Sequence, residues 1–216
     1  METAKVGLKP FLLSLLAVLM TEFTARWTVP LISDDYAFEL LSIGVARLAE
    51  ITFIFLIVSH WGNGLVSLGL GKTTLGTGFK KGLIWSAGFG LLALLGFIIM
   101  SMAGLSLLSL IKTDVPPWPW EAALYFLAGG LLAPVAEEVF FRGLIYGFLR
   151  RWGIIIACIV SVTPFVLLHS TGGSLPIPQI VGGIIFALAY ELEDNLMVPV
   201  LIHASGNLAI FGLSLF

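Results

Sequence analysis

The stretch Ala133–Arg151, APVAEEVFFRGLIYGFLRR, decides how the rest of the chain is read. It has the apolar density of a helix inside a membrane, yet it carries Glu137, Glu138 and Arg142. An ionisable side chain at a bilayer centre costs ~2.5–3.5 kcal/mol on insertion scales, so three clustered there need partners or a wet cavity. On a helix Glu138 and Arg142 are four apart and share a face, while Glu137 points about 100° away. A plain buried ion pair therefore accounts for Glu138 and Arg142 and leaves Glu137 over.

The 216 residues around this stretch are 58% hydrophobic and 11% charged, far below the roughly one quarter charged of a soluble domain. That composition implies an all-α, polytopic transmembrane helical bundle whose surroundings are the lipid bilayer. The net charge of −2 gives no reason to expect nucleic acid as a partner. The single cysteine, Cys158, lies in an apolar run and reads as a small core residue. No internal repeat is visible. The chain reads as one membrane domain, 1–216, with N-terminal spans in 1–115 and a motif-bearing core in 116–216.

About seven spans are predicted. The first follows Lys5 and Lys9, with an apolar run from Leu8 to Met20 that continues past Trp27; no A-x-A-like site follows, so it reads as an uncleaved span. Glu22 and Arg26, four apart, can pair. An acidic loop, Ser33 to Glu39, precedes a second span from about Leu40 to Val58, where Arg47 and Glu50 can pair. The polar stretch 60–82 holds Lys72, Lys80 and Lys81. Its GLGKTT lacks the first glycine of a phosphate loop, Val66 standing there, so nucleotide binding is rejected. An uncharged third span is expected from about Gly82 to Ile111, then a loop with Pro116, Pro117 and Pro119 beside Trp118 and Trp120.

The four-helix core comes next. Its spans run from about Glu121 to Leu149, Gly153 to His169, Ile180 to Tyr190, and Leu196 to Phe216, with an acidic turn at 191–194. Pro134, three residues before Glu137, predicts a kink or a fresh helix start. Gly143 and Gly147 form a G-x-x-x-G that suits close packing within the bundle. With seven spans, Lys5 and Lys9, the Lys72–Lys81 stretch and Arg150–Arg151 share one side. The positive-inside rule makes that side, with the N-terminus, cytoplasmic. The expected location is a cell membrane, multi-pass, the plasma membrane in a bacterium.

Two acids side by side in a low dielectric cannot both ionise cheaply, so one is held protonated or poised to take a proton. Arg142 would hold the other as an anion. A poised carboxylate can take a proton from water and so make a nucleophile for an amide carbonyl. The resulting oxyanion needs fixed donors, which histidine and asparagine supply. Of three histidines, His60 sits beside Trp61 and reads as interfacial. His169 closes the fifth span, and His203 lies one helical turn before Asn207 on the same face of the seventh.

EEVFFR resembles the E-E-x-x-x-R motif of the CPBP family, the CAAX-protease and bacteriocin-processing (Abi) intramembrane proteases. Phe165 to His169 is similar to the family's F-x-x-x-H, and His203 to Asn207 to its H-x-x-x-N. The three occur in family order on three spans, over residues 137–207. The resemblance implies a glutamic-type or metallo intramembrane endopeptidase acting on a membrane-associated protein or peptide substrate, with the metal-free mechanism preferred because no H-E-x-x-H is present. In it Glu137 and Glu138 include the water-activating base, and Arg142 orients the pair. His169 and His203 flank the water and scissile carbonyl, and Asn207 helps bind the oxyanion. No cofactor is favoured; a zinc ion, if used, would take one glutamate with His169 and His203.

Other protease designs fit less well. Asp34, Asp35, Asp114 and Asp194 all fall in predicted loops, which removes an aspartyl pair, and no G-x-S-x-G is present. The reading from a different class is a non-catalytic scaffold, carrier or bacteriocin-immunity protein whose buried charges pair helices or bind a peptide. Depth is the obstacle to a single site. Counted from Arg150, Glu137 lies ~20 Å deep, His169 ~25 Å and His203 only ~12 Å. Their meeting is an expectation.

Overall fold

A computed structural model describes residues 6–104, 111–170 and 176–216. Lys5, residues 105–110 of the expected third span and residues 171–175 of the loop after His169 lie outside the described residues. Among those described, seven longer helices, one short 3-10 helix (Leu65–Leu68) and no strand occur: α1 (Leu8–Ile32), α2 (Tyr36–Trp61), α3 (Leu75–Met102), α4 (Pro119–Trp152), α5 (Ile154–Leu168), α6 (Ile177–Glu193) and α7 (Met197–Leu213). The first four are long and apolar enough to cross a membrane. At 15 to 17 residues, α5 to α7 reach ~22–26 Å, somewhat short of a ~30 Å hydrocarbon core.

Contacts at the helix ends show the alternation. At one end Lys9 lies over the Trp61 ring, Arg151 Nη2 donates to Val6 O at 2.6 Å, and Arg150 grips Glu191 at 2.6 and 2.7 Å. Lys81 meets Glu193 at the same end. At the other, Thr113 N donates to Ser214 Oγ at 3.1 Å and Thr113 Oγ1 meets Tyr125 OH at 2.8 Å.

Several local expectations are corrected. Helix α3 begins seven residues before Gly82, because Lys80 and Lys81 ride on its first turns with their charges at the bundle end. The acidic turn is mostly helix: Glu191 to Glu193 finish α6, and only Asp194 turns left-handed, at φ 48°. Glu22 takes Arg47 of α2 as its partner in place of Arg26, which is exposed. Arg47 also holds Glu50 at 2.6 Å, as its spacing suggested. One guanidinium thus ties α1 to α2.

Around Pro134 the chain neither breaks nor starts anew. A π turn at Ala128–Leu132 leads into it, and a second π stretch, Val139–Tyr146, follows Glu138. Proline has no amide to give and its ring crowds the carbonyl one turn back; a widened turn accommodates both. Gly143 packs on Leu68 and Leu196, so that glycine serves the bundle interior. Helix α3 rests on α7 through glycines: a Cβ on Gly78 would lie 2.2 Å from Asn195 Oδ1, and one on Gly82 2.6 Å from Leu201 Cδ1. Its outer face, including Leu91, Leu92 and Ile99, is exposed, as a lipid-facing helix allows.

Candidate active site

Three helices converge on the middle of α4. Glu138 and Arg142 have side chains with no exposed surface, and Arg142 Nη1 donates to Glu138 Oε1 at 2.8 Å. The second arm of the guanidinium, Nη2, donates to Gly183 O on α6 at 3.0 Å. Its flat faces lie among Phe165, Phe186 and Phe141, with ring centroids 4.7, 5.2 and 5.9 Å from Cζ. Cation–π contacts in a desolvated cage add to the pairing. Arg142 therefore pins α4, α5 and α6 together.

His203, on α7, is buried and stacks on Phe186 with centroids 4.7 Å apart and rings 20° from parallel. Its Nδ1 stands 2.7 Å from Glu138 Oε1, the same oxygen that receives Arg142. An ion-paired carboxylate accepts, so Nδ1 carries the proton and Nε2 presents a lone pair. His169 caps the C-terminus of α5, where the last carbonyls lack helical partners. Its Nδ1 lies 2.7 Å from Phe165 O. A carbonyl can only accept, so Nδ1 carries the proton here too, and in the neutral ring Nε2 is the bare nitrogen.

Both bare nitrogens face Glu137. His203 Nε2 is 3.8 Å and His169 Nε2 3.9 Å from Glu137 Oε2, and that oxygen has no hydrogen-bond donor although it is buried. Three acceptors thus surround one small space. Such a space is stable only with a donor in it: a water, an added proton or a cation. Glu137 keeps 19% of its side chain exposed, toward a cavity of about 1160 Å³ between the α1–α2 hairpin and the core, whose wall also includes His169.

The donor set is of the zinc type, one carboxylate and two imidazoles, and each imidazole has its other nitrogen held by an oxygen. Its spacing does not fit as it stands. Metal–ligand bonds of ~2.0–2.1 Å put tetrahedral ligands ~3.3–3.4 Å apart, closer than the 3.8 and 3.9 Å found. Among the described residues no group of three His, Cys, Asp or Glu is arranged to hold a metal ion.

Five of the six residues singled out in the sequence meet here: Glu137, Glu138, Arg142, His169 and His203. Asn207 faces α4 as its spacing with His203 suggested, but its Nδ2 donates to Gly129 O at 3.0 Å, in the first π turn. The obstacle of depth disappears for a structural reason. The turn between α6 and α7 is sunk into the bundle: Leu196 has no exposed surface, and its amide donates to Gly69 O in the loop folded over it. His203 therefore starts from a deeper origin than Arg150 provides.

Residues 119–209 match the Rce1-like family model, type II CAAX prenyl endopeptidase Rce1-like. The matched region runs from the start of α4 to beyond Asn207 and holds all three motifs, in agreement with the resemblance to the CAAX-protease family. It supports a CAAX-protease-like intramembrane endopeptidase in general, with a membrane-associated protein as substrate. No curated protein and no solved structure matches the chain.

Sequence reasoning missed the surroundings of this centre. Gly183 was not singled out, yet a Cβ there would stand 3.0 Å from Val162 Cγ1 and 3.2 Å from Phe165 Cδ1, and its carbonyl receives Arg142. Phe186 underlies His203 and Arg142 at once. Neither lies in a motif; the pair Gly182-Gly183 within an apolar run was the available signal.

Proposed function

We propose that this chain is an intramembrane endopeptidase that hydrolyses a peptide bond of a membrane-associated protein or peptide, with Glu137 as the base that activates water. The observation that carries this reading is the donor-free Glu137 Oε2 facing two unprotonated imidazole nitrogens beside a cavity. A water there gives one proton toward Glu137 and the other toward an imidazole, which leaves its oxygen lone pair free to attack a carbonyl presented from the cavity. The imidazole that gains a proton then becomes a donor for the tetrahedral oxyanion. Glu137 returns its proton to the departing amine, and the imidazolium releases the second proton to solvent as the carboxylate product leaves, so the reaction closes with both groups restored.

We assign Glu138 a different role, because its side chain has no exposed surface toward the cavity. Its Oε2 is buried without a donor, as Glu137 Oε2 is, but its Oε1 accepts from Arg142 and His203, so its task is to hold His203 in the tautomer that turns Nε2 to the water. Asn207 holds α7 against the π turn of α4, which sets the height of His203. Lys9, Lys81 and Arg150–Arg151 share one bundle end, and we place that end and the N-terminus in the cytoplasm of a plasma membrane.

The test uses the purified chain in bilayer discs, incubated with membrane extract of the source organism, and sequences new peptide termini. We expect wild type to create termini that Glu137→Gln does not, with the variant melting as wild type does. Identical termini from wild type and a folded Glu137→Gln variant would remove the base and leave the non-catalytic binding reading, which the fully buried Glu138–Arg142 pair also suits.

A further inference from the structure

The cavity beside Glu137 has a charge imbalance of its own. Its lining includes six carboxylates, Glu22, Asp34, Asp35, Glu39, Glu50 and Glu137, against the guanidinium groups of Arg26 and Arg47. Arg47 is divided between Glu22 and Glu50. Glu50, only 3% exposed, is left with Oε1 lacking any donor. The remaining walls are apolar, with Val18, Leu19, Phe23, Val29 and Phe140 among them. At about 1160 Å³ the space exceeds the roughly 300–1,000 Å³ of small-ligand sites and suits a run of several side chains.

We propose that this cavity receives a membrane-bound peptide segment in which a lysine or arginine adjoins an apolar stretch. The cation offsets the surplus carboxylates of the cavity wall, Glu22, Asp34, Asp35 and Glu39 with Glu50 behind them, while the apolar stretch lies along α1. Asp34 and Asp35, in the α1–α2 loop, and Glu39 place further negative charge where that loop meets the surface, at the bundle end opposite Arg150 and Arg151. Substrate selection thus rests on the α1–α2 hairpin, outside the Rce1-like match at 119–209. That the segment is also cut rests on the peptidase reading; that it binds does not.

The experiment measures binding alone. Protein carrying Glu137→Gln, in discs of zwitterionic lipid, is titrated with three labelled synthetic peptides that share one Leu/Ala core and end in Lys, Gln or Glu. We expect the Lys-ended peptide to bind about tenfold tighter than the Gln-ended one, the Glu-ended peptide to bind most weakly, and Glu50→Gln to bring the Lys-ended peptide to the Gln level. Because Glu50→Gln disturbs the Arg47 pair, a second variant, Asp34→Asn with Glu39→Gln at exposed positions, is measured alongside and is expected to reduce the same preference severalfold. Equal binding of the three peptides overturns the proposal. So does a Lys preference that survives in every variant that folds. Equal binding of the three peptides together with new termini made by wild type in the membrane-extract assay would refute this substrate class and leave the peptidase reading intact; charge-selective binding with no termini made by wild type would do the reverse.

Discussion

Replacing Arg142 by methionine keeps the length and apolar packing of the side chain and removes the charge. Glu138 then stays fully buried with its counter-ion gone, and Gly183 O loses a donor. Breaking a buried pair from one side costs about 3–5 kcal/mol, because the surviving charge is uncompensated. For a chain of this size that corresponds to a drop of roughly 6–20 °C in Tm. Adding Glu138→Gln removes the stranded charge while leaving an oxygen to accept from His203 Nδ1. The double variant should therefore melt above Arg142→Met, with a coupling of about 2–3 kcal/mol between the sites. The assay is thermal unfolding in detergent with a fluorescence readout, on wild type, both single variants and the double. If Arg142→Met melts with wild type, or the double variant melts no higher than Arg142→Met, the pair does not hold the core as argued. The double variant is expected to stay inactive even where its stability returns, since nothing then keeps a carboxylate beneath His203.

His169 and His203 should separate activity from stability. His169, with a third of its side chain exposed, should lose terminus-creating activity on substitution by alanine while Tm shifts by less than about 3 °C. His203→Ala should lose both, because it vacates the space beside Phe186 and strips Glu138 of a donor. Gly78→Ala and Gly82→Ala force α3 from α7 and should each cost about 1–3 kcal/mol, read by the same melts. Gly88→Ala, with open space around its Cβ, should be neutral or slightly stabilising. Arg47→Met, which strands Glu22 and Glu50 together, should lower Tm, and Arg26→Met at its exposed position should not.

The number and order of helices were legible because a membrane segment announces itself by composition over a fixed length. So were five of the meeting residues, because charge inside such a segment is costly enough to demand a reason. What escaped were partnerships between helices. Spacing rules see Glu22 with Arg26 and cannot see Arg47, 25 residues on, reaching across from α2. They place Lys80 and Lys81 in a loop, since a lysine that ends in water can still ride on a helix. They measure depth from the nearest charged loop and so misplace His203, whose helix starts beneath the folded segment around Gly69. The widened turns of α4 leave no mark in the residue pattern except Pro134.

The plain structural reading of Glu138 and Arg142 and the catalytic reading of Glu137 were set against each other in the sequence; in the proposed mechanism the first is a condition of the second. Glu138 Oε1 accepts from Arg142, and the same oxygen accepts from His203 Nδ1, which places the imidazole proton on Nδ1. That placement turns a lone pair toward Glu137, where Phe165 O has made His169 present another. Take away the ion pair and the imidazole is free to reverse its tautomer, offering a donor to Glu137 Oε2 and closing the place where a water would sit. A pair that served packing alone could be exchanged for apolar side chains of similar volume at little cost; one that also sets a tautomer cannot be exchanged without losing the arrangement of acceptors around Glu137.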